Sequence, residues 1–341
     1  VEGERGLFNR RLLHTYCQFK GGGGCHVVKM LSFLPRSLLN GAVQTRAFAT
    51  EKEIAMRISA TKNIKKITSS MKMVSASKLR GDQTRLDAAK AFGTWTSTLG
   101  TKVASFEDIV HGLVEEEKSV FVGGKKNVVI ALTSDKGLCG GVNSAIARGI
   151  RGLLGKYGDS EDVSVVVVGE KGRSQLRRMV APRMYAAATD VAAPLSFAFA
   201  SELAEKVLTD FSAEKEGTLG AVHVAYNKFK SAIAYVPSVA TVTPFAAAGR
   251  GETLATFEFE QPEAKETVLH NLFEYYLATE LYYGMMEAAT SEQSSRMQAM
   301  ENASKNAGEL IDKLTLLYNR ARQARITTEL IEIISGASAL D

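Results

Sequence analysis

Cysteine is scarce in this sequence, and its scarcity excludes two classes of protein. The 341 residues include three cysteines, Cys17, Cys25 and Cys139, and only Cys139 lies beyond the first 50 residues. A disulfide framework or a cysteine-rich zinc site needs several cysteines at close spacing. The histidines are scattered singly, as surface or core histidines usually are. We therefore expect neither a metal site nor a bound cofactor.

Acidic residues are absent between Arg5 and Thr50, where the chain has seven basic residues. A basic, acid-poor amino terminus is typical of a mitochondrial presequence. We predict a presequence over residues 1–48, with cleavage after Phe48. Residues 1–29 are interpreted, as a hypothesis, as an upstream start or an overextended gene prediction, because Met30 opens a more typical presequence. A disordered basic tail and a plastid transit peptide are the alternatives.

Long apolar runs are also missing. No window approaches 18 uninterrupted apolar residues, so we expect no transmembrane helix. The net charge of +5 resides entirely in residues 1–50, which leaves 35 basic and 35 acidic residues in the rest of the chain. A balanced body has no basic footprint for nucleic acid, and we expect no nucleic-acid partner.

Proline is absent after Pro262, so nothing obliges a helix to end before Gly336. A helix over that interval would be ~110 Å long. The preceding domain would be only about 40 Å across, so most of the helix must project from it. Residues 51–110 also lack proline and have apolar residues at helical spacing: Ile54, Ile58, Ile64, Ile67, Met71, Val74 and Ala76. Glycines at 81, 93 and 100 weaken the prediction of one unbroken helix there.

Between these helices the pattern changes to that of an α/β domain. Short β-branched runs at 128–133, 163–168, 222–226 and 233–242 alternate with helical segments near 142–157, 171–179 and 195–211. The nearly continuous valines of 163–168 predict a strand covered on both faces, in a largely parallel sheet. We thus predict an α/β fold plus a long antiparallel α-helical coiled coil. A Rossmann-like domain (113–262) is inserted between an N-terminal (49–112) and a C-terminal (263–341) coiled-coil helix.

The C-terminal segment has a repeat of seven residues. Met300, Ala307, Leu314 and Ala321 form one set, and Ala303, Leu310, Leu317 and Ala324 form the other. Such an a/d pattern predicts a left-handed coiled coil with the N-terminal helix. The C-terminal helix would outreach its partner by its last 15–20 residues, which include Ile326, Leu330, Ile331, Ile333, Ile334, Ala337 and Leu340. Exposed apolar surface of that extent indicates an interface.

The sequence lacks the usual motifs for nucleotide binding and for nucleophilic catalysis. No phosphate-binding G-x-x-x-x-G-K-[ST] occurs, and the glycine-rich loop 134–143 lacks the dinucleotide spacing. Its glycines more readily serve close backbone contact. Cys139 has no neighbouring base in the sequence that would activate it as a nucleophile.

Three segments resemble the gamma subunits of F-type ATP synthases. They are residues 62–78, residues 134–140, and residues 290–340 with Asn319-Arg-Ala-Arg-Gln-Ala-Arg-Ile-Thr327 at their centre. The chain departs from the family at Lys136, where arginine is usual, and at Gly141, where alanine is common. The cysteine-bearing insertion of plastid members is missing, which agrees with a mitochondrial presequence.

The resemblance implies a non-catalytic rotor shaft in the central stalk of a proton-driven ATP synthase. Its coiled coil would stand in a ring of alpha and beta subunits, and its α/β domain would rest on the c-ring beside the delta and epsilon subunits. The location implied is the matrix side of the mitochondrial inner membrane, as a peripheral protein. The catalytic sites would lie on the beta subunits.

The resemblance also implies roles for particular residues. Arg322 and Gln323 would contact a beta-subunit loop, with Met71 and Lys72 at a similar level on the other helix. Arg320 and Arg325 would add to a basic collar below the tip. The bearing tip would comprise Ile326, Leu330, Ile333, Ile334, Ala337 and Leu340. Tyr226, Lys228 and Phe229 would face the c-ring or epsilon. Two alternatives stay open at this point, a coiled-coil scaffold without a motor function and a nucleotide-binding α/β enzyme.

Overall fold

A computed structural model of the chain describes residues 50–99, 101–111, 121, 125–157, 162–212, 219–245 and 265–339. The predicted presequence with its division at residue 29, the predicted domain boundaries and Leu340 lie outside these residues. The helices are α1 (Glu51–Thr98), α2 (Phe106–His111), α3 (Val142–Tyr157), α4 (Glu170–Val180), α5 (Phe197–Ser212) and α6 (Lys265–Ser338). The strands are β1 (Lys102–Ser105), β2 (Lys126–Leu132), β3 (Val163–Val168), β4 (Met184–Ala188), β5 (Leu219–Phe229) and β6 (Tyr235–Val242).

The long C-terminal helix is confirmed. Helix α6 has 74 residues and is therefore about 110 Å long. The predicted N-terminal helix is shorter than expected, because α1 ends at Thr98 rather than near residue 112. Residues Lys102–Ser105 form β1 instead and pair with β6 at the edge of the sheet. Gly100 in the sequence is a poor helix former and marks this break.

The six strands form one mixed sheet in the order β1-β6-β5-β2-β3-β4. Strands β5, β2, β3 and β4 are parallel to one another, while β6 and β1 are antiparallel to their neighbours. The four predicted strands and three predicted helices are thus confirmed. Two strands were not predicted, since β1 is short and β4 has no β-branched residue.

Helices cover both faces of this sheet, which explains the continuous apolar strands. On one face Val128, Ile130 and Val166 pack against α5, α6 and the end of α1. On the other face Val129 and Val165 pack against α2, α3 and α4. Alternate residues of β2 and β3 are therefore buried in opposite directions, as predicted for a strand covered on both sides. The first part of helix α6 packs in this core, and the rest of the helix extends beyond it.

Helix α1 lies along α6 in the opposite direction. Contacts join Glu51 to Arg325, Lys72 to Glu301, and Gly93 to the ring of Tyr283, so residue numbers rise on one helix as they fall on the other. None of the helices among the described residues is both long and apolar enough to cross a membrane.

Candidate interaction surfaces on the paired helices

The seam between α1 and α6 follows one of the two predicted residue sets. Met300 and Ala307 are buried, and Leu314 and Ala321 are half-buried. The second set is partly wrong, because Leu310 and Leu317 are 47 % and 50 % exposed. Ile311 and Tyr318, one residue later, are half-buried in their place, while Ala303 and Ser304 are both half-buried. The apolar pattern alone therefore pointed one residue away from the seam at Leu310 and Leu317.

On α1 the seam combines small or hydroxyl-bearing side chains with a few large apolar ones. Buried residues seven positions apart form three runs: Ile54, Thr61, Thr68 and Ser75; Leu79 and Leu86; Ala89 and Thr96. The threonine hydroxyls donate to carbonyls of their own helix, for example Thr61 to Arg57 at 2.8 Å, so they are satisfied inside the seam. Several large apolar residues of the predicted helical pattern face outwards, and Ile64, Ile67 and Val74 are each more than half exposed. These exposed apolar side chains are available for contact with a partner.

An ionic clasp closes the seam at the start of α1. The Oε2 of Glu51 lies 2.6 Å from Nη1 of Arg325, close enough for an ion pair although no hydrogen bond to that oxygen is aligned. The Tyr318 hydroxyl also bonds to Glu51, and this bond and the negative charge raise the pKa of Tyr318. The part of α6 that is paired with α1 ends at this clasp.

Beyond this clasp α6 continues as an exposed single helix. From Ile326 to Ser338 it runs for 13 residues, or ~20 Å, and every side chain there is exposed. The large apolar side chains in it are Ile326, Leu330, Ile331, Ile333 and Ile334, between 45 % and 67 % exposed. Ala337 is exposed as well, and Leu340 lies outside the described residues. The structure therefore displays the apolar end that the sequence predicts.

The four residues predicted to contact a beta subunit do not lie at one level. Arg322 and Gln323 are exposed next to the clasp. Lys72 instead lies beside the seam and pairs with Glu301 at 2.8 Å, and Met71 is half-buried next to it. Glu301 is 21 residues below Arg322 on α6, a separation of ~30 Å. The expectation of a similar level is wrong, because α1 begins beside Arg325 and descends from there.

The predicted c-ring-facing set is divided by burial. Tyr226 is 1 % exposed and packs in the core of the sheet, so its assignment to a partner surface is wrong. Phe229 is half-buried against the same core, and its backbone N–H donates to Glu287 of α6. Lys228 is exposed. Strand β5 is covered on both faces. In the sequence, the charged residues around Phe229 gave no sign of this burial.

Among the described residues, the glycine-rich loop after β2 borders only a small cavity. Helix α6 contributes Met285, Ala288 and Glu292 to the crevice at the ends of β2 and β5, where a cavity of about 50 Å³ is left. Sites for small-molecule ligands usually measure about 300–1,000 Å³. The larger surface depression, of about 330 Å³, lies at the opposite ends of β3 and β4 and is open. In open α/β sheets ligands bind at the carboxyl ends of the strands, so this depression is the wrong place.

Side chains around this loop bond to the chain's own backbone. Asp135 Oδ1 accepts the backbone N–H of Glu170 at the start of α4, and Oδ2 accepts that of Val191. At Gly140, which has φ +63°, a Cβ would come within 2.8 Å of the Ser295 hydroxyl of α6. The interpretation of a close-contact glycine is confirmed at Gly140, whereas Gly137 makes only an ordinary contact. Among the described residues no cluster of histidine, cysteine, aspartate and glutamate could hold a metal ion.

A long helix that projects from an α/β domain and ends in exposed apolar side chains is typical of a protein that binds partners. Comparison with known proteins agrees. A family model described as ATP synthase matches residues 50–340, and the chain belongs to that family. It is 41 % identical over 300 residues to the mitochondrial ATP synthase gamma subunit of Drosophila melanogaster, with 88 % of this chain and 93 % of the relative covered.

Solved structures show the same likeness. The central stalk and c-ring assembly of Tetrahymena thermophila mitochondrial ATP synthase contains a chain that is 32 % identical, with a TM-score of 0.54. That match covers 70 % of this chain and 99 % of the other. A chain of the Euglena gracilis mitochondrial ATP synthase, at 18 % identity and a TM-score of 0.67, covers 85 % of this chain and 94 % of its own length and shows the common fold.

Proposed function

We propose that the chain is the central rotor shaft of a mitochondrial proton-driven ATP synthase and couples rotation of the c-ring to the catalytic beta subunits. The family match over residues 50–340 carries this proposal. The subunit is non-catalytic, and its partners are the alpha and beta subunits, the delta and epsilon subunits and the c-ring. It belongs to the peripheral part of the complex, and we place it on the matrix side of the inner membrane. A scaffold or a nucleotide-binding enzyme is not favoured.

We infer that α1 and α6 form a coiled coil and that residues 113–262 are a Rossmann-like insertion. The seven-residue spacing of buried side chains on α1 supports the coiled coil. The order β4-β3-β2-β5 of the parallel strands, with helices on both faces, supports the second inference. The division into residues 49–112 and 263–341 on either side remains part of the proposal, although β1 and α2, which precede residue 113, pack with the α/β domain.

The exposed end of α6 suits a bearing. Apolar contact is non-directional, so a ring of partner residues can hold an apolar helix without favouring one angle. We assign this role to Ile326, Leu330, Ile333, Ile334, Ala337 and Leu340. Strong ion pairs would favour one orientation, and the basic residues of this region lie lower, in the collar of Arg320, Arg322 and Arg325, while Glu329 and Glu332 lie within the end itself.

Beta-subunit contacts are assigned to two levels of the shaft. Arg322 and Gln323 would form the upper one, since their side chains are exposed beside the clasp. Met71 would form a separate, lower one with the exposed Val74 of α1. Lys72 contributes there while paired with Glu301. A shaft changes a catalytic site only where it contacts the open and closed states differently. Lys228 stays a proposed contact of epsilon or the c-ring.

Reconstitution of residues 49–341 with alpha and beta subunits tests this function. We expect the chain to join the hexamer, and Arg322→Ala with Gln323→Ala to lower ATP turnover by about tenfold, the loss of ~1.4 kcal/mol of charge-assisted contact. Arg178→Ala on α4, an exposed arginine far from the collar in the chain, is the matched control. A chain that binds the hexamer without altering turnover would indicate a scaffold. Unchanged turnover in the double variant alone would refute only the contact assignment.

A further inference from the structure

Polar side chains of α6 bond to the backbone of the α/β domain along one short stretch. They are Glu287, Ser291, Ser294 and Ser295, which we call the grip. Their spacing of four, seven and eight residues from Glu287 places them on one face of the helix. Ser291 and Ser294 are buried, and Ser295 is half-buried.

The grip holds three separate segments of the domain. Ser291 donates to the carbonyl of Asn227 at 2.8 Å, and Glu287 accepts the N–H of Phe229 at 2.6 Å. Ser294 donates to the carbonyl of Ala232, in the turn between β5 and β6, at 2.7 Å. Ser295 donates to the carbonyl of Cys139, in the loop after β2, at 2.7 Å. Four side chains within nine residues of α6 thus bond to β5, the turn and the loop.

The loop that Ser295 holds is itself braced. Asn143 accepts the N–H of Ser134 at 3.0 Å and donates to the Ser134 hydroxyl at 2.8 Å and to the Cys139 sulfur at 3.2 Å. Gly140 lets the loop approach α6 closely, because a Cβ there would overlap the Ser295 hydroxyl. Movement of α6 at this point would therefore be passed to the end of β2 and the start of α3.

The grip lies where α6 leaves the core. Below it, Leu281 and Met285 are fully buried among apolar neighbours. Above it, α6 packs against α1 along the seam. Apolar packing resists separation but has little directionality, whereas a hydrogen bond weakens steeply when its angle is lost. Twisting α6 about its axis against the sheet must therefore break the bonds of the grip first.

From this geometry we propose that Glu287, Ser291, Ser294 and Ser295 transmit torque from the α/β domain to the long helix. The proposal rests on the rotor function proposed above. The four residues are positioning residues, since they would act through the shaft on sites in other subunits. A purely structural role would lower stability without changing how the assembled rotor twists.

The test uses the assembled ATP synthase with Ser291→Ala, Ser294→Ala and Ser295→Ala combined. A rotation probe is attached at Ser174→Cys, an exposed position on α4. With the hexamer held still, the angular variance of the probe should rise by about twofold or more, since three hydrogen bonds are lost. Protons pumped per ATP hydrolysed should fall, while unloaded ATP hydrolysis stays near the parent rate.

The matched control removes three hydroxyls that bond only within their own helices: Thr84→Ala, Thr94→Ala and Thr315→Ala. It should leave the variance and the pumping ratio unchanged. If the triple serine variant does not assemble, Ser294→Ala alone is measured in the same way and should raise the variance by a smaller amount. If an assembled serine variant has the angular variance and the pumping ratio of the parent chain, the proposed role of the grip is wrong. Failure of the parent chain to assemble would instead overturn the rotor function.

Discussion

A histidine in the centre of β5 makes the fold sensitive to acid. His223 is fully buried, its Nδ1 lies 3.1 Å from the Thr241 hydroxyl, and the Phe121 ring stands edge-on to it at 4.8 Å. Burial lowers the pKa of His223 to about 3. The imidazole is therefore neutral in the folded chain across the physiological range.

The sign of the pH effect follows from this lowered pKa. Between about pH 6.5 and 3 the unfolded chain binds a proton at His223 and the folded chain does not. The stability contribution is therefore complete above pH 6.5 and is lost as the pH falls towards 3. The unfolding free energy of the parent chain should fall between pH 7 and pH 5. We expect this fall to be smaller by about 2 kcal/mol in His223→Gln, measured by urea unfolding. His270→Gln, at an exposed position on α6, is the control, and an equal change in both variants would contradict the prediction.

At the scale of helices, the glycines of α1 differ in what surrounds them. A Cβ on Gly93 would lie 2.9 Å from the ring of Tyr283, whose hydroxyl donates to Glu287. A Cβ on Gly81 would meet only the end of Arg85, at 3.9 Å. Gly93 is thus a close-packing position between α1 and α6, while Gly81 is an open helical one.

Alanine at these two positions should have opposite effects. Gly81→Ala should raise the free energy of unfolding by about 0.5–1 kcal/mol, because alanine is the better helix former. Gly93→Ala should lower it by about 1–2 kcal/mol, since Tyr283 would have to shift while bonded to Glu287. Thermal unfolding of both variants beside the parent chain measures this. Stabilisation by Gly93→Ala would show that the helices separate there without strain.

The helices and strands differ in how well the sequence predicts them. Absence of proline predicts α6, and valine runs predict β2, β3, β5 and β6, because these signals are local. Strand β1 depends on pairing with β6, and β4 on pairing with β3, which are long-range contacts that their own letters do not encode. Half of the buried residues on α1 are threonine or serine, so hydrophobicity pointed to Ile64 and Ile67, which face outwards.

For the candidate site the same distinction holds at the level of the whole molecule. The exposed apolar end and the exposed Arg322 and Gln323 follow from a repeat and a motif in one helix. The level of Met71 depends on how α1 is placed against α6, which no segment encodes alone. The grip was not predicted, because serines in a helix give no signal until the carbonyls they reach are known.

The free end of α6 should contribute to assembly and not to folding. A chain that ends at Arg325 keeps the Glu51 clasp, and every described side chain that it loses is exposed. We expect its free energy of unfolding to stay within ~0.5 kcal/mol of the parent value, as for other exposed surface. Its affinity for the alpha–beta hexamer should fall at least about tenfold, because burial of even one large aliphatic side chain stabilises by about 1.5–3 kcal/mol.

A second variant separates the apolar surface from the length of the helix. Glutamine in place of Ile326, Leu330, Ile331, Ile333 and Ile334 keeps a good helix former at each position. We expect it to bind the hexamer as weakly as the truncated chain, with both affinities measured by titration of the labelled subunit. Parent-like affinity of the glutamine variant would mean that the length of the helix holds the shaft in place. Because the tip is the part of the shaft that α1 does not cover, this comparison tests directly whether apolar contact forms the bearing.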